Sequence, residues 1–347
     1  MPKITVFYAS FGQGHKKAAQ ALGDSLGIAA FDLLDFCSPL IARLYSWFYI
    51  FITNNFPHIW QLIFSSSKSK LSSRLINRLH RVLFNSFFKH LEAEQPEVVI
   101  TTHFFPADLA ACAKNKINCR LVSIITDIRV HPLWVNPEIE HYFAALEITK
   151  RDLIALGVTP EKITSGFMPL RQGFKPGLSE QELRRKFNLG ERPNLLFVCS
   201  FRGVFPCLKE SLDSLLKDFN IFIIYGRNER LRRYLESVKS ENLHYFPFYE
   251  RIWELIFLSS LIITKPGGMT IFEAAYYHKP FIFTHYIPGQ EKANMDVLIS
   301  AGVAKFVQGE KDLLKAVSYL SQNSREFTDK YPFRVNHIQP ALARVIG

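Results

Sequence analysis

A chain of 347 residues with 42 Lys and Arg against 31 Asp and Glu carries a formal charge of +11, which calls for an anionic partner or surface. It is 48% hydrophobic, with 31 Phe, long enough for two cores, yet no run of eighteen uninterrupted apolar residues reads as a spanning helix. The five cysteines are scattered, odd in number and without CxxC spacing, which excludes a disulfide framework and a zinc knuckle.

In chain order, Lys3 leads directly into a strand-like run from Ile4 to Tyr8 with no basic n-region or apolar h-region, so a cytoplasmic protein is expected. The turn that follows, Ser10-Phe11-Gly12-Gln13-Gly14-His15, feeds a helix with small residues early in it. Its glycines let backbone approach a ligand, the helix start favours an anion, and His15 is positioned for general base work. The plainer alternatives are a tight turn and a capping histidine.

Between Asp35 and Glu92 no acidic residue occurs. Arg43, Lys68, Lys70, Arg74, Arg78, Arg81 and Lys89 are interleaved there with aromatics that include Trp47, Phe51, Phe56 and Trp60. That mixture suits a bilayer interface carrying anionic lipid, with Leu71, Leu75 and Leu79 on one helical stripe and Arg74, Arg78 and Arg81 on another. An amphipathic helix packed on its own domain is the alternative. Apolar interleaving argues against nucleic acid.

Strand-like runs at 97–103, 120–126, 141–145, 194–199, 220–225, 260–264 and 280–284 alternate with helical segments, a pattern of α/β architecture with parallel sheets. Regularity lapses between Gly166 and Pro193, with one short helix, Glu180 to Phe187, capped by Ser179. The expected organisation is a first α/β domain at 1–168, a linker at 169–192 and a second α/β domain at 193–322. A tail at 323–347 is expected to cross back to the first domain. Ligands in such sheets bind at the carboxyl ends of the strands.

The most informative run is Thr264-Lys265-Pro266-Gly267-Gly268-Met269-Thr270-Ile271-Phe272-Glu273. A strand ends, a glycine turn offers backbone N–H groups to a diphosphate, and Glu273 follows where a carboxylate can hold ribose hydroxyls. A capped helix with a solvated Glu273 is the bland alternative. Downstream, Gln290 and Asn294 fall four apart, on one face of a helix whose start would point at the same turn.

These residues resemble the monogalactosyldiacylglycerol synthases and processive diacylglycerol glycosyltransferases, related to the lipid-linked GlcNAc transferase of peptidoglycan synthesis. The resemblance runs through residues 10–15, Phe56-Pro57-His58-Ile59-Trp60 and Thr101-Thr102-His103-Phe104-Phe105-Pro106. It continues in Thr126-Asp127-Ile128-Arg129-Val130-His131-Pro132-Leu133-Trp134, Tyr225-Gly226-Arg227-Asn228, the Lys265 turn and Pro288-Gly289-Gln290-Glu291.

It implies two Rossmann-like domains facing across a cleft (the GT-B type), the first binding acceptor and membrane and the second the nucleotide-sugar, and inverting, metal-independent transfer of galactose or glucose from a UDP-sugar to diacylglycerol. No cofactor or divalent metal is expected, in keeping with the lack of an Asp-x-Asp, and the protein would attach peripherally to anionic membrane. His15 and Asp127 are the expected catalytic residues. Gly14, Arg202, Gly226, Arg227, Phe248, Gly267, Gly268, Met269, Thr270, Glu273, Gln290, Glu291 and Asn294 are expected on the donor. His103, His131, Trp134, Arg74, Arg78, Arg81, Trp47 and Trp60 are expected on the acceptor or membrane.

The pattern is broken at Val198-Cys199-Ser200-Phe201-Arg202-Gly203-Val204-Phe205, where a glycine-rich turn is usual and Arg202 offers a side-chain contact instead. Ala293 stands where glycine is common and Ser260 where aspartate is usual. Two competing readings are transfer to another lipid, such as a polyprenyl-linked sugar, and a catalytically weak lipid- or nucleotide-binding protein.

Overall fold

The computed structural model describes every residue except 1, 12, 46, 48–78, 176, 200–204, 288, 324–326 and 328–330. Trp60, Arg74, Arg78 and Arg202 therefore lie outside the described residues. The chain divides into two compact units: residues 1–172, 287–290 and 335–347 form one, and residues 173–286 and 291–334 the other.

In the first unit, β1 (Ile4–Tyr8), β2 (Ala30–Asp32), β3 (Val98–Thr101), β4 (Arg120–Ile125), β5 (His141–Ala144) and β6 (Ile163–Ser165) form one parallel sheet in the order β2-β1-β3-β4-β5-β6. β1, β3 and β4 are near-continuous apolar runs because helices cover both faces of such a sheet. Those helices are α1 (Gln13–Leu26), α2 (Asn85–Glu94), α3 (Phe104–Ala113) and α4 (Glu147–Ala155). Phe7, Phe84, Phe87, Leu91, Val99, Leu121, Trp134 and Tyr142 meet in the core. A short strand, β7 (Phe167–Met168), continues the unit.

The second unit opens with α5 (Glu180–Lys186), capped by the Ser179 hydroxyl accepting from the Glu182 N–H. Its sheet comprises β8 (Asn194–Val198), β9 (Asn220–Ile224), β10 (Leu243–Phe246), β11 (Leu261–Thr264), β12 (Phe281–Phe283) and β13 (Ala304–Phe306). All are parallel, in the order β10-β9-β8-β11-β12-β13. The intervening helices are α6 (Phe205–Leu215), α7 (Glu229–Ser237), α8 (Ile252–Leu258), α9 (Gly268–Tyr276), α10 (Gln290–Ser300) and α11 (Glu310–Gln322). β14 (Asn336–His337) then pairs with β7 in the first unit, and α12 (Gln339–Ile346) ends the described chain, its Val345 and Ile346 carbonyls accepting from Arg120.

The expected linker at 169–192 differs from the observed division after Gln172. Phe174 packs on Trp253, Tyr276 and Tyr277, and Lys186 bonds the buried carboxylate of Glu254 at 2.6 Å, so this stretch belongs to the second unit's packing. The strands not expected from sequence, β2, β6, β7, β10, β13 and β14, are two to four residues long.

Candidate active site

In the first unit the chain leaves β1 toward β2 on one side and β3 toward β4 on the other, opening a crevice at their carboxyl ends. The register sets Phe7 beside Thr101 and Thr101 beside Ser123, so the segments after β1, β3 and β4 emerge next to one another. His15, Thr102-His103 and Thr126-Asp127 meet there.

His15 Nδ1 lies 2.8 Å from the Thr102 carbonyl and 2.8 Å from the Thr126 hydroxyl, while the Thr102 hydroxyl donates to the His15 carbonyl at 2.9 Å. A carbonyl can only accept, so Nδ1 carries the proton and Nε2 is left with its lone pair. The His103 ring stands edge-on to His15 with centroids 4.5 Å apart. Its Nδ1 accepts from the Phe105 N–H at 3.0 Å and so caps α3.

Asp127 is buried. The Trp134 indole donates to it at 2.9 Å, the His131 ring stands 4.0 Å away, and Gln290, grouped with this unit, donates through its side-chain amide. The loop that carries these groups is tied down by Asp152, which accepts from Arg129 and from the Val130 N–H, and by the Thr149 hydroxyl on the Ile128 carbonyl.

Burial favours uncharged forms of all these groups. It holds His15 down to about 4, although the Thr102 hydrogen bond pulls the other way. It pushes the Asp127 carboxyl up to about 7 against the Trp134 hydrogen bond. His103 lies well below the ordinary imidazole range, through burial first and then its neighbours His15 and His131. At neutral pH the cluster therefore holds a neutral imidazole with a free Nε2 lone pair and a carboxyl near its midpoint.

In the second unit β11 ends in the Lys265-Pro266-Gly267 turn and α9 begins at Gly268. Gly267 has φ −78°, open to any residue, and a Cβ there would meet nothing closer than the Lys265 side chain at 3.9 Å. Neither backbone nor packing demands glycine, so the missing side chain leaves open surface beside the N–H groups of α9. No side chain caps that helix start among the described residues, which leaves those donors for an anion. The Asn294 amide donates to the Pro266 carbonyl at 3.1 Å, Lys265 pairs with Glu291, and Glu273 and Met269 are buried one turn into or at the start of the helix. Gly226, at φ +61°, sits at the end of β9 beside the exposed Arg227.

Residues 15–167 match the family model for monogalactosyldiacylglycerol (MGDG) synthase, and residues 199–317 match the glycosyltransferase family 28 C-terminal domain. The chain is 26% identical over 334 residues to a processive diacylglycerol beta-glucosyltransferase of Bacillus thuringiensis (strain Al Hakam), covering 93% of this chain and 86% of that one. The Bacillus cereus (strain AH187) protein of the same name is 25% identical over the same coverage. Among solved structures, MurG of Acinetobacter baumannii aligns over 99% of both chains with TM-score 0.63 and 16% identity. A putative UDP-N-acetylglucosamine 2-epimerase of Listeria monocytogenes aligns over 94% of this chain and 90% of its own, with TM-score 0.57 and 16% identity. Likenesses at this identity speak for the fold alone, and that fold serves both transferases and epimerases. Fold and family matches together define a GT-B glycosyltransferase. Its first half is similar to the monogalactosyldiacylglycerol synthases and nearly its whole length to the processive diacylglycerol glucosyltransferases.

The structure gathers His15, His103, Asp127, His131 and Trp134 in one cluster, and Gly267, Gly268, Thr270, Glu273, Glu291 and Asn294 around one helix start. Several site residues depart from the places expected for them. His103, His131 and Trp134 are 3%, 4% and 1% exposed, so they pack around His15 and Asp127 and present no headgroup-gripping surface. Gln290 and Asn294 have separate partners, Asp127 and the Pro266 carbonyl. Phe248 is largely exposed, as is Trp47, and Arg81 donates to the Cys112 carbonyl at 2.9 Å. Thr102 and Thr126 were not singled out, although a threonine just past a strand end is the one sequence signal for them.

The bonding of Nδ1 predicts that nitrogen-detected NMR finds His15 as the Nδ1–H tautomer throughout the neutral range. Its charged form should appear only as pH falls toward about 4. A midpoint near the reference value of about 6.5 would contradict the geometry.

Proposed function

We propose that this glycosyltransferase moves glucose or galactose from its UDP conjugate to the free hydroxyl of diacylglycerol at a membrane surface, with inversion at the anomeric carbon. The observation that carries the reading is His15, neutral, fixed through Nδ1 and leaving Nε2 as a base at the carboxyl ends of β1, β3 and β4. The Bacillus relatives' name supports the acceptor and the hexose.

In this reaction the acceptor oxygen forms a bond to the anomeric carbon as its proton passes to His15 Nε2. The bond from that carbon to the UDP oxygen breaks, and UDP leaves with the electron pair. The N–H groups at the start of α9 receive the diphosphate charge and Glu273 the ribose hydroxyls, while Asn294 braces the turn through the Pro266 carbonyl. The bound nucleotide and the proton transfer need no metal or other cofactor on this reading. Membrane attachment is supported by Leu40 and Leu44, 77% and 58% exposed on a helical stretch, and by Trp47 just beyond it, 56% exposed. No helix among the described residues is long and apolar enough to cross a membrane.

Purified protein incubated with each labelled UDP-hexose and vesicles containing diacylglycerol should give a β-linked glycolipid. Absence of lipid product with both donors would refute the acceptor assignment.

His15→Ala should retain UDP affinity and lose about a hundredfold to ten-thousandfold in turnover, the range for positioned proton transfer. The pH profile separates the two candidate bases, because a base works only when deprotonated. With His15 as base, kcat/KM stays level down to about pH 5 and declines toward 4. With Asp127 as base, it declines once pH drops below about 7.

Glu273→Ala should weaken UDP about tenfold or more, the cost of losing a buried charged hydrogen bond of about 1.5–3 kcal/mol. Unchanged calorimetric affinity would remove Glu273 from the donor site.

A further inference from the structure

His15 Nδ1 carries one proton and has two oxygens within reach of it. The Thr102 carbonyl, just past β3, and the Thr126 hydroxyl, just past β4, each lie 2.8 Å away. Were Nδ1 bare, its lone pair would face the lone pairs of the carbonyl at that distance with no hydrogen between them. The proton is therefore on Nδ1, and the Thr126 oxygen is its second acceptor. Thr126 is 3% exposed, so this bond forms where solvent is scarce.

A base is ordinarily oriented by a third group, and the nature of that group decides when charge appears on the base. Among the described residues no carboxylate pairs with His15. Its titratable neighbours are His103, edge-on with centroids 4.5 Å apart, and beyond it His131. Asp127, in the same cluster, accepts from the Trp134 indole and the Gln290 amide. Both orienting oxygens on His15 are thus uncharged. An anion in their place would draw a proton onto the ring before any substrate arrived. Two neutral oxygens leave the resting ring neutral, yet each binds the Nδ1–H more strongly once Nε2 is protonated, because a charged ring is the better donor.

We infer that Thr126 is a positioning residue for the transfer: its hydroxyl oxygen holds the His15 ring by the Nδ1–H, leaves Nε2 to the substrate, and stabilises the imidazolium as it forms. The inference rests on the reading of His15 as the base. The acceptor's proton moves to Nε2, Nδ1 keeps its own, and Thr126 gains and loses none.

The test uses the full chain and two substitutions of opposite meaning. Thr126→Val keeps the branched shape and removes the oxygen, whereas Thr126→Ser keeps the oxygen. Thr126→Val should lower kcat about tenfold with calorimetric UDP affinity unchanged, and Thr126→Ser should restore it to within about twofold of the parent. In NMR at neutral pH the downfield His15 Nδ1–H signal should move upfield and exchange faster in Thr126→Val, and stay in place in Thr126→Ser. Placed on His15→Ala, Thr126→Val should cost nothing further, since its effect passes through the ring. Thr126→Ala, which also lacks the oxygen, serves if the valine variant fails to fold. Equal losses from Thr126→Val with and without His15, or an Nδ1–H signal that does not respond, would overturn the proposal. A signal that responds while His15→Ala stays fully active would overturn the base assignment, and with it the part of Thr126 in turnover, while establishing its hold on the ring.

Discussion

The candidate chemistry depends on a reciprocal clasp between two neighbouring turns. The His15 ring donates to the Thr102 carbonyl, the Thr102 hydroxyl donates to the His15 carbonyl, and the Thr102 N–H extends the sheet by bonding the Phe7 carbonyl at 3.1 Å. Both bonds join residues 87 apart in sequence, so neither turn can shift without breaking them. Each is worth about 1 kcal/mol net, but an orphaned buried partner costs more, which makes the pair stiffer than either bond alone. The clasp fixes the ring's tautomer and its orientation together.

Burial then sets the charge state of everything the clasp holds. Three imidazoles, His15, His103 and His131, lie close together, and charging more than one would set like charges against each other where solvent is scarce. The same desolvation that keeps His15 and His103 neutral drives Asp127 toward its acid form. Groups of opposite charge type are thereby brought toward neutrality by one cause. In the proposed reaction this has a direct use, since a proton arriving on His15 raises the local positive potential and favours ionisation of a carboxyl that sits near its midpoint.

The long elements were legible from composition and period. β1, β3, β4, β8, β9 and β11 are apolar runs between turn residues, and the two sheets follow from their alternation with helices. Strands β2 and β13 were not legible, because three residues cannot display a period and their pairing is decided by partners elsewhere in the chain. At the site, His15 and the Gly267-Gly268 turn announce themselves by residue type and local spacing. Thr102 and Thr126 do not, since their part is defined by register across β1, β3 and β4. Trp134 was misleading for a related reason: an indole beside prolines reads as an interfacial anchor, whereas its N–H is committed to Asp127 and the ring is buried.

The large positive charge and the site chemistry turn out to be separate features. Around the α9 helix start, Lys265 is matched by Glu291, so the proposed anion recognition there would fall to backbone dipoles and to the open surface at Gly267. Backbone donors cannot titrate and lose no side-chain entropy on binding, and the turn that carries them is braced by Asn294 on the Pro266 carbonyl. In the proposed reaction a diphosphate held this way would be bound by geometry more than by net charge, which suits a site that must release UDP after each turnover.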